Sequence, residues 1–117
     1  MTEQTARARH LIDEARCIVV LTGAGISAES GIPTFRGSGG MWKSHRAEEL
    51  ATPEAFARDP QTVWDWYSWR RGLVADSAPN QGHLALARLA LSDTPTAIVT
   101  QNVDGLHTRA AQQAAGV

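Results

Sequence analysis

The sequence predicts an α/β fold built on a parallel sheet, and three observations predict it. Two short, continuously apolar runs rich in β-branched residues, Cys17-Ile18-Val19-Val20-Leu21-Thr22 and Thr96-Ala97-Ile98-Val99-Thr100, read as strands buried on both faces. Each run ends in residues suited to a loop that meets a ligand: Gly23-Ala24-Gly25 after the first, Gln101-Asn102-Val103-Asp104 after the second. The stretch between them carries helix signals and no further strand pattern. The predicted order is therefore helix, strand, several helices, strand, helix: a parallel sheet with a helical insertion after its first loop.

Each element has a local reason. Thr5 to Arg16 reads as an amphipathic helix, with Ala8, Leu11, Ile12 and Ala15 on one face and Arg7, Arg9, Asp13 and Glu14 on the other. A short helical turn is expected over Ile26 to Ser30, ended by Gly31-Ile32-Pro33. Thr34 to Lys43 is glycine-rich and reads as a loop. Thr52-Pro53 and Asp59-Pro60 each pair an N-cap residue with proline at the first helical position. A third helix opens at Pro79 or Asn80, its apolar spacing running through Leu84, Ala87, Leu89 and Leu91. Gly105 to Ala115 closes the order as a helix with Asp104 as its expected cap.

Composition narrows the function classes. A chain of 117 residues has room for one small domain and one core. Eleven basic against twelve acidic residues leave a net charge of −1, which argues against a nucleic-acid surface. The longest apolar stretch, Cys17 to Leu21, is far too short to span a membrane, and Met1-Thr2-Glu3-Gln4 does not open a secretory signal. The single Cys17 excludes an internal disulfide and a multi-thiolate metal site, so no metal ligands are expected among these residues. It is expected as a small buried hydrophobe, in a protein of the reducing cytoplasm.

Gly23-x-Gly25-x-x-Ala28 fits the loose dinucleotide fingerprint and follows a predicted strand, as that fingerprint requires. Glycine belongs where backbone must approach a pyrophosphate closely, although a tight strand-to-helix turn explains the pattern equally well. Three features exclude an ordinary hydride-transfer unit. Pro33 breaks the helix early, no strand is predicted before Thr96, and Lys43 stands where a ribose-binding carboxylate would be expected.

Gly23-Ala24-Gly25-Ile26-Ser27 with Gly31-Ile32-Pro33-x-Phe35-Arg36 resembles the cofactor loop of the sirtuins, NAD-dependent protein deacylases. Pro79-Asn80-x-x-His83-x-Ala85-Leu86-Ala87 and Thr100-Gln101-Asn102-Val103-Asp104 are similar to two further motifs of that family, in the same order. The resemblance implies that residues 1–117 are the N-terminal part of a Rossmann-like, NAD-binding catalytic domain. It also implies a reaction in which the oxygen of an acylated lysine attacks C1′ of the nicotinamide ribose. Nicotinamide leaves, and the acyl group ends on ADP-ribose. Gly23, Ala24, Gly25 and Ser27 would line the dinucleotide, and Phe35, Arg36 and Trp42 would belong to the same cofactor site. Phe35 would cover the ribose and Arg36 would hold the loop over the phosphates. Gln101, Asn102 and Asp104 would contact nicotinamide and its ribose, the last two supporting catalysis.

Tyr67 and Arg70 lie three apart on one helix and share a face. A phenol and a guanidinium make a receptor for a carboxylate, unless Tyr67 is core and Arg70 a surface charge. Tyr-x-x-Arg, together with Thr34 in Pro33-Thr34-Phe35-Arg36-Gly37, is similar to the sirtuin branch that removes acidic acyl groups such as succinyl and malonyl. The family's histidine base, its zinc module of two cysteine pairs and its later strands are expected beyond Val117. None of His10, His45, His83 and His107 stands in a Leu-His-Gly motif. The 117 residues alone are accordingly expected to be inactive and marginally stable. A non-catalytic binder of NAD or ADP-ribose, and an NAD glycohydrolase, are the alternatives. The expected partner is an acylated lysine of a protein substrate, with neither nucleic acid nor membrane.

Overall fold

The computed structural model describes residues 1–35 and 41–117. They form two compact units, Met1–Gly23 with Gln81–Val117, and Ala24–Asn80.

The first unit carries the sheet. β1 (Ile18–Thr22) and β4 (Thr96–Thr100) pair in parallel, with Ile18 opposite Thr96 and Thr22 opposite Thr100. A parallel pair needs a long crossover, and the whole of Ala24–Asn80 is spent on it, together with α5 (Gln81–Ala90). α5 packs on both β4 and α6 (Leu106–Ala114). His83, Ala87, Leu106 and Ala110 are buried along these helices, whereas Leu91 falls past the end of α5 and is exposed. α1 (Glu3–Glu14) begins where Thr2 Oγ1 accepts the Thr5 N–H at 3.1 Å. The pairs Arg9–Asp13 and His10–Glu14 support it at one-turn spacing.

Three expectations for this unit are corrected. The strands are covered on one face only. Val19, Leu21 and Val99 are 68%, 69% and 53% exposed, because α5 packs one side and no described residue covers the other. α1 buries no residue, so Leu11 and Ile12 face outward although their spacing is amphipathic. Cys17 is exposed, since it precedes β1 rather than lying in it.

The second unit is a helical assembly around tryptophan. A 3-10 segment over Ala24–Ser30 replaces the shorter turn expected at Ile26. Gly31 ends it at φ +91°, a left-handed conformation that favours glycine. Where a plain loop was expected, β2 (Met41–Trp42) and β3 (His45–Arg46) form a small antiparallel hairpin. The expectation of no strand before Thr96 therefore fails, because two-residue strands have too few residues to show a period. α2 (Ala47–Leu50), α3 (Pro53–Arg58) and α4 (Pro60–Ala75) follow. Both Xaa-Pro caps form. Thr52 Oγ1 accepts from Ala55 N at 3.0 Å, and Asp59 accepts from Thr62 N at 3.2 Å and from Thr62 Oγ1 at 2.6 Å. Those two bonds, the hydroxyl's first, hold the Asp59 carboxyl below its ordinary range. Ala47, Leu50 and Trp66 form the core, with Phe35, Trp42 and Trp69 packed against it.

Candidate active site

In the first unit the parallel pairing brings two strand tips together. Asn102 Nδ2 donates to the carbonyl of Gly23 at 2.9 Å, and Gln101 N–H donates to the carbonyl of Thr22 at 3.1 Å. The Gln101 side chain stays exposed beside this joint. Thr100 Oγ1 accepts the Asn102 backbone N–H at 3.0 Å, so Asn102 is held at both its backbone and its side chain. Asp104 is not the helix cap. Gly105 occupies that position at φ +70°, and Asp104 reaches past it to accept the Leu106 N–H at 3.0 Å. A left-handed glycine turns the chain there, which moves the carboxylate one place outward.

A buried polar layer lies behind these tips. Thr22 Oγ1 donates to Thr100 Oγ1 at 2.9 Å and meets His107 Nε2 at 2.8 Å. The rings of His107 and the fully buried His83 meet edge to face, 5.1 Å between centroids. Burial holds His83 below the ordinary histidine range, and neighbouring His107 adds to this, while Asp104 pulls the other way. Sequence reasoning left His83 and His107 without a role. The Pro-Asn-x-x-His pattern was the signal for the first; for the second, its three-residue distance from Asp104 was the only hint.

In the second unit, Ser27 is buried in the 3-10 segment, and Ile32 N–H returns to its carbonyl at 3.3 Å. Asn80 Nδ2 clamps the same segment, donating to Ile26 O at 2.7 Å and to Ser30 Oγ at 3.0 Å. Asn80 was expected as a helix opener and as part of the Pro-Asn-x-x-His motif, without this clamp. Phe35 adopts φ +59° and stands edge-on to Trp66 and Trp69, at 6.0 and 6.2 Å. The Arg70 guanidinium lies over the Phe35 ring at 4.9 Å and the Trp66 ring at 5.6 Å. Tyr67 packs on Trp66 at 4.6 Å and remains 39% exposed. Tyr67 and Arg70 thus share Trp66 as a common wall. Trp42 stacks near Trp69 at 6.0 Å. Arg36 lies outside the described residues.

The glycines test whether a dinucleotide fits. Neither Gly23 nor Gly25 has a positive φ, and a Cβ added at either meets nothing within 4 Å. Among the described residues, neither backbone conformation nor packing demands glycine there, which leaves both faces open to close approach by a ligand. Among the described residues no group of His, Cys, Asp and Glu could hold a metal ion, and no helix is long and apolar enough to cross a membrane.

Comparison with known proteins bears on the same residues. The Sir2 family model matches residues 23–116. An NAD-dependent protein deacylase of Aquifex aeolicus is 59% identical over 93 residues, covering 80% of this chain and 39% of that protein. The NAD-dependent protein deacylase 2 of Pyrobaculum aerophilum is 57% identical over 100 residues, covering 86% and 40%. The chain therefore spans about 40% of the length of these curated relatives. A Sir2 homologue solved with NAD superposes with a TM-score of 0.81 at 51% identity, covering 90% of this chain and 41% of that one. A Sir2 homologue mutant in complex with 2′-O-acetyl ADP-ribose gives a TM-score of 0.83 at 52% identity, covering 94% and 43%. With a matched family model over most of its length, the chain belongs to the Sir2 family.

Proposed function

We propose that these residues form the nicotinamide-ribose side and the acyl receptor of an NAD-dependent protein-lysine deacylase. The observation that carries the reading is the joint between strand tips: Asn102 is fixed against Gly23, a glycine whose open face no described residue fills. When bound, NAD supplies the bond broken at the nicotinamide ribose and the hydroxyl that receives the acyl group. Gly23, Ala24 and Gly25 admit its backbone-close approach, with Ser27 beside them. By the family resemblance Phe35 covers the ribose and excludes water, Trp42 belongs to the same cofactor site, and Arg36, outside the described residues, is assigned to the phosphates. Asn102, Gln101 and Asp104 orient the nicotinamide end, which confines the two reactants to a productive geometry.

Arg70 and Tyr67 select an acidic acyl group. Arg70 can grip a carboxylate with two parallel bonds while stacked on Phe35 and Trp66, and the exposed edge of Tyr67 offers a third.

Calorimetric titration of the 117-residue chain tests the reading. NAD should bind, and Asn102→Ala should weaken it about tenfold, as loss of one hydrogen bond and its orientation implies. Succinyl-lysine peptide should bind more tightly than acetyl-lysine peptide, and Arg70→Met should erase the difference. Equal affinities would remove the acidic-acyl assignment. Release of nicotinamide without any peptide would favour a glycohydrolase, and NAD binding with no acyl-peptide recognition a non-catalytic binder.

A further inference from the structure

We propose that His107 is a positioning residue for Asn102, acting through the hydroxyls of Thr22 and Thr100. The consequence for the cofactor rests on the proposed role of Asn102 in orienting nicotinamide. His107 sits on α6 with its ring against the buried His83 of α5. From its Nε2 a continuous path runs 2.8 Å to Thr22 Oγ1, 2.9 Å to Thr100 Oγ1 and 3.0 Å to the backbone nitrogen of Asn102. Asn102 then reaches from Nδ2 to the Gly23 carbonyl at 2.9 Å.

Proton direction along this path is set by what each atom can donate. Thr22 has one hydroxyl proton and gives it to Thr100, so its lone pair must accept a proton from His107 Nε2. His107 Nδ1 is buried with no partner among the described residues, and a bare lone pair there costs less than an orphaned N–H. Both arguments place the proton on Nε2. Thr100 Oγ1 consequently receives two donors, the Thr22 hydroxyl and the Asn102 amide. Its orientation is settled from below by His107, and the amide above it inherits that orientation.

A packing role does not account for this arrangement. A residue needed only to fill space beside His83 would be apolar, whereas His107 carries a buried nitrogen without a partner among the described residues. That nitrogen is tolerated because the opposite one must donate to Thr22. The links also join residues 78 and 85 positions apart, so the path exists only once α6 and both strands are assembled.

Backbone amide exchange, read by NMR on the 117-residue chain, tests the path without requiring a cofactor. His107→Leu and Thr22→Val should each speed exchange at Asn102 about tenfold, the factor set by one hydrogen bond of ordinary net strength. His107→Gln should restore the native rate, because its side-chain amide keeps a donor for Thr22. The pair His107→Leu with Thr22→Val should do no more than either alone. The amides of Ala87 and Ala110, buried in α5 and α6, should be unmoved. Unchanged exchange at Asn102 overturns the proposal, as does equal acceleration at Ala87 and Ala110, which would mean general loosening. NAD titration of the same variants separates the two readings. A parallel loss of affinity supports positioning of a cofactor residue, and released exchange with undiminished NAD affinity overturns it. A native chain that shows the exchange pattern but binds no NAD supports the path and removes the cofactor reading instead.

Discussion

Asn80→Ala should unfold the helical unit at markedly lower urea. Its side-chain amide donates at 2.7 Å to the Ile26 carbonyl and at 3.0 Å to the Ser30 hydroxyl, 54 and 50 residues away in sequence. Both bonds lie in the unit Ala24–Asn80, where they close the far end of the chain onto the 3-10 segment. An intramolecular hydrogen bond contributes about 0.5–1.5 kcal/mol net, so the pair is worth about 2 kcal/mol. With a urea slope of about 1–3 kcal/mol/M for a small domain, the midpoint should fall by about 1 M. Tryptophan fluorescence reports the right unit, since Trp42, Trp64, Trp66 and Trp69 all lie within it. Asn80→Asp sharpens the test. It keeps the size but puts a carboxylate oxygen against the Ile26 carbonyl, so it should be at least as damaging. A midpoint shift below about 0.3 M for Asn80→Ala, or an aspartate variant near native stability, would refute the reasoning.

Three further outcomes are expected. The folded state disfavours protonated His83, mainly through burial, so its pKa lies below the unfolded 6.5. The stability this contributes is complete above that value and is lost as pH falls through the folded value. Far-UV dichroism of urea unfolding should show a steeper loss from about pH 7 to 5 in the native chain than in His83→Gln; parallel slopes would contradict it. Arg70 and Phe35 should be coupled by about 0.5–1 kcal/mol in a double-mutant cycle of Arg70→Met and Phe35→Leu, and additive losses would dismiss the stacking seen at 4.9 Å. The open face of Val19, Leu21 and Val99 should bind the dye ANS, and Leu21→Lys should reduce that binding while changing stability by less than about 0.5 kcal/mol.

Much of the fold was legible because its signals are local. Thr52-Pro53 and Asp59-Pro60 specify helix starts within four residues, and both caps form as expected. The apolar runs ending at Thr22 and Thr100 become strands, the first starting one residue later than expected, since such a run is read from its own residues. Legibility stopped where covering partners decide. Leu11 and Ile12 have core spacing in α1 yet face outward, and Val19 and Leu21 lie on a strand covered on one side. Periodicity says which residues could be buried together, not whether anything arrives to bury them.

The candidate site divides in the same way. From the sequence alone came the glycine loop, the Gln101-Asn102-Asp104 segment and the pairing of Tyr67 with Arg70 on one helix face, since each motif is contiguous or one turn long. The tertiary structure alone decided what holds them: Asn102 on Gly23, Asn80 on the 3-10 segment, Arg70 over Phe35, and His107 beneath Thr22 and Thr100. The physical reason is distance along the chain. Hydrogen bonds and ring contacts act over a few ångströms, so partners 79 or 85 positions apart become neighbours only when the parallel strands have paired and α6 has packed.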